Sequence, residues 1–262
     1  MNVMIITDLE GVTGVTTIDQ MNFGSEEYFE ACRCITKEVE HIGKALKENG
    51  ADNIYFLDGH GGRGTNIDTT KLSDYLVKVD IDTWCELLKD GKIDVQIETG
   101  VHARAGTIGG FLDHTFNSKE IFSYKINGRV ESELSVHSLI AGVYNVPVIL
   151  CIGDCVGVNQ ANEYIPDIHT IAVKKAETRN ECVCYENAYE LIEEGIKKAL
   201  SDYKHIKPMP LELPAKLEIT YYRTDMCEKV MANCKCKVER IDARTLLKHI
   251  DKVETYWDLR IR

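Results

Sequence analysis

Hydrophobic positions along this chain alternate between two spacings. Residues 3–7 (VMIIT) are a short apolar, β-branched run, the mark of a strand buried on both faces. After a loop with Gly11, Gly14 and Gly24, apolar residues recur at 28, 32, 35, 39, 42 and 46. That helical spacing begins behind Ser25 as N-cap, with Glu26 and Glu27 in the first turn, and stops at Gly50. Asn53–Asp58 (NIYFLD) is the next strand, and strand–helix–strand order predicts a parallel pair with a right-handed crossover. Further strands are predicted at 76–80, 93–99, 121–127, 146–152 and 168–173, and further helices at 132–145 and 184–202. The expected fold class is α/β, a mostly parallel sheet flanked by helices. Three of the five prolines (Pro208, Pro210, Pro214) fall in KPMPLELP, which reads as a linker. The expected division is a metal-site α/β domain over residues 1–205 and a small C-terminal α+β domain over 206–262.

Composition narrows the function classes. The 262 residues are 44% hydrophobic and 28% charged, ordinary for a soluble globule able to bury a core. Forty-two acids against 31 bases give a net charge of −11. That balance excludes a nucleic-acid partner, whose recognition rests on clustered Lys and Arg, and suits a protein that holds cations locally. The longest later apolar stretch, residues 146–153, is far short of the ~20 residues of a membrane span. The first residues, MNVMIITDLEG, lack the basic flank and unbroken apolar core of a secretory signal. A cytoplasmic protein with no membrane partner is therefore expected. Its ten cysteines read as free thiols of a reducing compartment. Their C-x-C pairs (Cys32/Cys34, Cys182/Cys184, Cys234/Cys236) and the C-x3-C pair Cys151/Cys155 are not the C-x2-C knuckles of structural zinc sites.

In open α/β sheets, ligands sit beyond the carboxyl ends of the strands, which directs attention to Asp8, Glu10 and His60. Residues 59–64 (GHGGRG) match G-x-G-x-x-G, but TNIDTTKL after them is a poor start for a pyrophosphate-capping helix, so a simple turn is the better reading. Asp8-Leu9-Glu10-Gly11-Val12-Thr13 is close to the aspartyl-phosphate loop of haloacid dehalogenase-like, Mg-dependent phosphatases. Its second acid is Glu, however, and Thr13 comes one residue late. A third reading joins the acids to histidines. Asp8 and Glu10 leave the first strand, His60 ends the second, His102 lies in Gly-Val-His-Ala-Arg-Ala, and Glu133 starts a helix. Three carboxylates and two imidazoles suit a pair of borderline metal ions such as zinc, ~3.5–4 Å apart, that activate water. Taken singly, each of these residues is equally a core, surface or solvated helix group.

The same positions make the chain resemble the bacterial D-aminopeptidase family of cocatalytic zinc peptidases, the DppA type. The match runs from Asp8-x-Glu10-Gly11 through Asp58-x-His60, His102-Ala-Arg-Ala, His114 and Glu133-Leu134 to Ala141-Gly-Val-Tyr-Asn-Val-Pro-Val, Gly153-Asp154 and Ala172-Val-Lys174. It covers at least residues 1–175 in unbroken order. The resemblance implies two zinc ions per subunit, with Asp8 bridging and Glu10, His60, His102 and Glu133 as the other ligands. It implies His114 as the catalytic histidine, acting as nucleophile or as general acid and base. It also implies a homodecamer and short peptide substrates with free N-termini, often containing D-residues. Two positions depart from the family pattern: Ile6 replaces a Ser, and His137 replaces an Asn one helical turn beyond Glu133. His137 is either an added contact at the site or a buried, hydrogen-bonded ring. Asp58 either orients the His60 ring or caps its turn, and Arg104 either binds a substrate carboxylate or forms an ion pair. The rivals to a zinc aminopeptidase are the phosphatase using Asp8 and a non-catalytic, oligomeric metal-binding protein.

Overall fold

The computed structural model describes all 262 residues. The chain runs through β1 (Asn2–Thr7), α1 (Glu26–Glu48), β2 (Asn53–Asp58), β3 (Leu76–Val79), α2 (Ile81–Lys89) and β4 (Val95–Val101) into a hairpin of β5 (Ile121–Ile126) and β6 (Arg129–Val130). Then come α3 (Glu133–Val143), β7 (Val148–Asp154), α4 (Cys155–Tyr164), β8 (His169–Ala176), β9 (Cys182–Cys184) and α5 (Ala188–Asp202). The last segment holds β10 (Ala215–Tyr221), α6 (Thr224–Asn233), β11 (Glu239–Arg240) and β12 (Thr245–Ile250).

Seven strands form one sheet in the order β3-β2-β1-β4-β7-β8-β9, parallel throughout except for β9 at the edge. Every residue of β4 and β7 is buried, as a parallel sheet covered on both faces requires. Helix α1 covers one face with Tyr28, Ile35, Val39, Ile42 and Leu46. Ser25 caps its start by accepting the Tyr28 N–H at 3.1 Å, and Gly50 follows its end with φ +91°. No helix is long and apolar enough to cross a membrane. Strands β2 and β3 lie to one side of β1, and β4, β7 and β8 to the other. The topological switch point therefore lies between β1 and β4, where a crevice opens beyond their carboxyl ends.

The segment 121–127, expected among the parallel strands, instead joins a five-stranded antiparallel sheet in the order β11-β12-β10-β5-β6. The reason is visible in its burial. In IFSYKI only Ile121, Tyr124 and Ile126 are buried, as in a sheet covered on one face with a bulge opposite Thr220/Tyr221, whereas β4 and β7 are buried continuously. Because β10 pairs with β5, strands from both sides of the proline cluster share this sheet. Helix α4 has no clear amphipathic spacing in the sequence. Asp154 caps it, and Gly157 lets it approach the main chain of His102, which a Cβ there would meet at 2.6 Å.

Candidate metal centre

Main-chain contacts close the crevice between β1 and β4. Asp8 N–H donates to the Thr99 carbonyl and Gly11 N–H to the Gly100 carbonyl, both at 2.8 Å. Two buried charges hold the loop that follows. Glu38 of α1 accepts the Thr13 N–H at 2.8 Å and the Thr99 hydroxyl at 2.6 Å. Lys174 of β8 donates to the carbonyls of Glu10 and Val15, both at 2.6 Å. Burial pushes the Lys174 ammonium below its ordinary pKa. Sequence reasoning did not find these supports. Glu38 sits within an amphipathic helix pattern like any solvated acid, and only the fold turns it inward.

Asp8, Glu10, His60 and His102 follow the carboxyl ends of β1, β2 and β4, whereas His114 lies in a loop and Glu133 is the first residue of α3. His60 stands on the turn after β2. Asp58 accepts Asn66 N–H at 2.8 Å and Asn66 Nδ2 at 2.7 Å, while Asn66 Nδ2 also donates to the His60 carbonyl at 2.9 Å. Asp58 thus fixes the turn that carries His60 and does not touch its ring. His102 follows β4 and donates Nδ1–H to the Ala103 carbonyl at 3.0 Å. His114 donates Nδ1–H to the Leu112 carbonyl at 2.8 Å, and its ring stacks on that of His102 at 4.2 Å. Glu133 opens α3, where Ser132 is the N-cap, and accepts the Phe116 N–H at 2.7 Å.

All six residues converge. His60 Nδ1 lies 3.1 Å from Asp8 Oδ1 and 3.0 Å from Glu10 Oε2. His102 Nε2 lies 3.3 Å from Asp8 Oδ2 and 3.5 Å from Glu133 Oε1. His114 Nε2 lies 3.7 Å from Glu10 Oε1 and 3.6 Å from Glu133 Oε1. Three ligand groups result, Asp8–Glu10–His60, Asp8–His102–Glu133 and Glu10–His102–His114, and in each the donor atoms lie within 4.8 Å of one another. Asp8 belongs to the first two.

The electrostatics call for a cation. With its Nδ1 hydrogen committed to Ala103, His102 presents a bare Nε2, buried and without a hydrogen-bond partner, to two carboxylates. Lone pairs facing lone pairs repel unless a proton or a metal ion lies between them. Burial alone would push Glu10 up, yet the imidazoles of His60, His114 and His102 hold it well below the usual carboxylate range. Burial would lower His60, but Glu10 and Asp8 outweigh it and push its pKa up to about 11. His102 is likewise raised well above its ordinary value, against burial, by Asp8, Glu133 and Glu10. Buried imidazoles and carboxylates with no thiolate among them fit a borderline divalent ion such as zinc.

The centre lines a cavity of about 730 Å³. His137 lines it too, with Nδ1 3.1 Å from Glu98 Oε2, while Glu98 accepts Gln96 Nε2 at 2.6 Å. Burial pushes the Glu98 carboxyl up. His137 is therefore a buried, paired ring at the edge of the site. Arg104 does not line the cavity; it donates to Glu163 at 2.6 Å and to the Tyr164 hydroxyl at 3.0 Å. The GHGGRG stretch forms an irregular turn that presents His60, and only a short 3-10 turn at Thr69–Lys71 separates it from β3, with no α-helix to cap a pyrophosphate. All ten thiols are unpaired, and none belongs to the ligand groups. The C-terminal segment, expected as a small appendage to the metal-site domain, supplies a wall of the cavity through Tyr256, Trp257 and Arg260. The antiparallel sheet brings them there by joining β10 to β5, a pairing the linear pattern does not carry.

Comparison with known proteins agrees with this geometry. The family model for D-aminopeptidase (peptidase family M55) matches residues 1–260. A D-aminopeptidase from Bacillus subtilis (strain 168) is 26% identical over 216 residues, which is 80% of this chain and 77% of that protein. The solved structure of the Zn-dependent D-aminopeptidase DppA from Bacillus subtilis, a self-compartmentalizing protease, superposes with a TM-score of 0.88 at 22% identity. That likeness covers 99% of this chain and 95% of the other and shows a shared fold.

Proposed function

The chain belongs to the D-aminopeptidase family, and from that premise we propose that it is a zinc-dependent aminopeptidase acting on short peptides with free N-termini, D-residue peptides among them. The observation that carries this reading is the bare, buried Nε2 of His102 facing Asp8 and Glu133, with Asp8 shared by a second ligand group. In this reading two zinc ions are bound per subunit. Asp8, Glu10 and His60 would hold one ion, and Asp8, His102 and Glu133 the other. The Zn-dependent relative from Bacillus subtilis supports the choice of metal. The family match leaves the phosphatase alternative without support.

Zinc at such a site supplies a Lewis acid that acidifies water and polarises a carbonyl. His114 holds the position of a proton carrier. The Leu112 carbonyl fixes its Nδ1–H, the stacked His102 ring fixes its plane, and its Nε2 faces the carboxylates. Nε2 takes the proton of the attacking water and returns it to the leaving amine. Direct attack by the same nitrogen is the other role open to it. The proposal extends to a homo-oligomer, a decamer by family resemblance, which the self-compartmentalizing relative supports. It also extends to a cytoplasmic location, supported by ten unpaired thiols.

The test is zinc content by mass spectrometry together with a cleavage panel of D- and L-dipeptides and p-nitrophenyl phosphate. Two zinc ions per chain and release of the N-terminal residue are expected. Bound zinc with no peptide cleaved would leave a metal-binding protein without turnover, and magnesium-dependent phosphatase activity would overturn the reading outright.

A further inference from the structure

One partly buried cation in the cavity wall has no hydrogen-bond partner, whereas Arg63 and Lys119, which also line the cavity, are exposed. The Arg260 guanidinium lies over the Phe116 ring, 3.4 Å from its centroid, and 5.5 Å from that of Tyr256. Its Nη1 is buried and makes no hydrogen bond. By contrast Arg179, which also lines the cavity, is tied to Asp113 at 2.8 Å. A guanidinium withdrawn from water with part of its fork unused is costly to keep, unless an anion completes it.

The surroundings fix the turn that carries this side chain. The Tyr124 hydroxyl donates to the Leu259 carbonyl, and Lys248 Nζ donates to the carbonyls of Asp258 at 2.8 Å and Arg260 at 2.9 Å. Trp257 Nε1 donates to Asp82 at 2.7 Å and anchors the same turn to α2. A fork carried on so fixed a turn and stacked on the Phe116 ring binds a planar anion with less further ordering than a free side chain. A single residue links it to the metal centre, because Phe116 donates its N–H to Glu133 Oε1 while its ring carries the guanidinium. The reach of one aromatic residue corresponds to roughly two extended residues of a peptide, ~3.5 Å each.

We propose that Arg260 is the specificity-determining residue that receives the substrate's C-terminal carboxylate, and so selects free-acid dipeptides and tripeptides. The proposal rests on the aminopeptidase reading and deepens it. A carboxylate matches the fork bidentately. The Phe116 and Tyr256 rings leave an apolar bed for the residue that bears it. Longer peptides carry their carboxylate past this point.

The test compares an alanyl-alanine analogue whose peptide bond is reduced with its C-terminal amide, by calorimetric titration of the protein as purified. The acid is expected to bind roughly 10- to 100-fold tighter than the amide. Arg260→Met should abolish that ratio, and Arg260→Lys should keep part of it. In turnover the acid-to-amide ratio of kcat/KM should collapse in Arg260→Met mainly through KM, and kcat/KM should fall about tenfold or more from tripeptide to tetrapeptide. Equal binding of acid and amide by the unaltered protein overturns the proposal without recourse to any variant. A ratio that survives in a folded Arg260→Met does the same. If no peptide is hydrolysed the aminopeptidase reading fails, while the calorimetric ratio still decides the role of Arg260.

Discussion

Replacing Gly100 with alanine tests whether the metal centre depends on the close approach of β1 to β4. Gly100 has φ +75°, and a Cβ there would stand 1.9 Å from the Asp8 carbonyl oxygen and 2.5 Å from its carbon. Two effects combine. A left-handed backbone costs a non-glycine residue ~1–2 kcal/mol, and forcing an extra atom against fixed main chain costs ~1–3 kcal/mol. Their sum is ~2–5 kcal/mol, which at ~2–4 °C per kcal/mol lowers Tm by ~4–20 °C. Two other glycines separate the effects. Gly50 has φ +91° and open space around it, so Gly50→Ala carries only the backbone cost, ~2–8 °C. Gly11 lies outside the left-handed region, but its Cβ would meet the Val101 carbonyl oxygen at 2.2 Å, so Gly11→Ala carries only the overlap. The assay is scanning calorimetry with zinc content measured on the same samples. Gly50→Ala should keep its full zinc, whereas Gly100→Ala and Gly11→Ala should lose it, because the overlap pushes Asp8 and Glu10 away from His102. A Gly100→Ala protein with full zinc and no larger shift than Gly50→Ala would refute the reasoning.

His114→Ala should retain zinc and lose ~100- to 10,000-fold in kcat, read by steady-state kinetics beside metal analysis; normal turnover would remove His114 from its role. Zinc binding at pH 7 should release protons into weakly buffered solution, because His60 in the metal-free protein holds its proton up to about pH 11 and must give it up to bind. The apparent zinc affinity should accordingly fall as pH falls, and binding without proton release would contradict the assigned ligand. Lys174→Met orphans the Glu10 and Val15 carbonyls, so zinc affinity should drop ~10- to 100-fold, measured by competition with a chelator. Arg104→Ala breaks a partly exposed pair with Glu163 and should cost ~1 kcal/mol or less while kcat/KM stays unchanged.

Much of the site was legible because its residues sit where strands end, and strand ends can be read from a linear pattern. A run such as VMIIT can hardly be anything but a buried strand, so Asp8 and Glu10 are placed at its mouth, and the same logic places His60 after NIYFLD. The helix over Glu26–Glu48 was equally plain, since one side of it is apolar at every turn. His114 lies outside any regular element, and its assignment came from family resemblance, not from periodicity. The expected strand at 121–127 exists, but in the other sheet, because local pattern fixes extended conformation and leaves the choice of partner open.

Sequence alone therefore determined the six parallel strands of the main sheet, helices α1, α3 and α5, the set of acids and imidazoles, and the family to which they point. Tertiary structure decided which atoms meet. It set the 3.3 Å between His102 Nε2 and Asp8, turned Glu38 and Lys174 inward beneath the Glu10 loop, and withdrew Arg104 into an ion pair. It also carried Arg260 from the far end of the chain to the cavity wall, through a sheet that joins strands about ninety residues apart. The physical reason is the range of each interaction. Helix and strand spacing depend on neighbours a few residues away, whereas burial, ion pairing and cavity walls depend on contacts that only the folded chain makes.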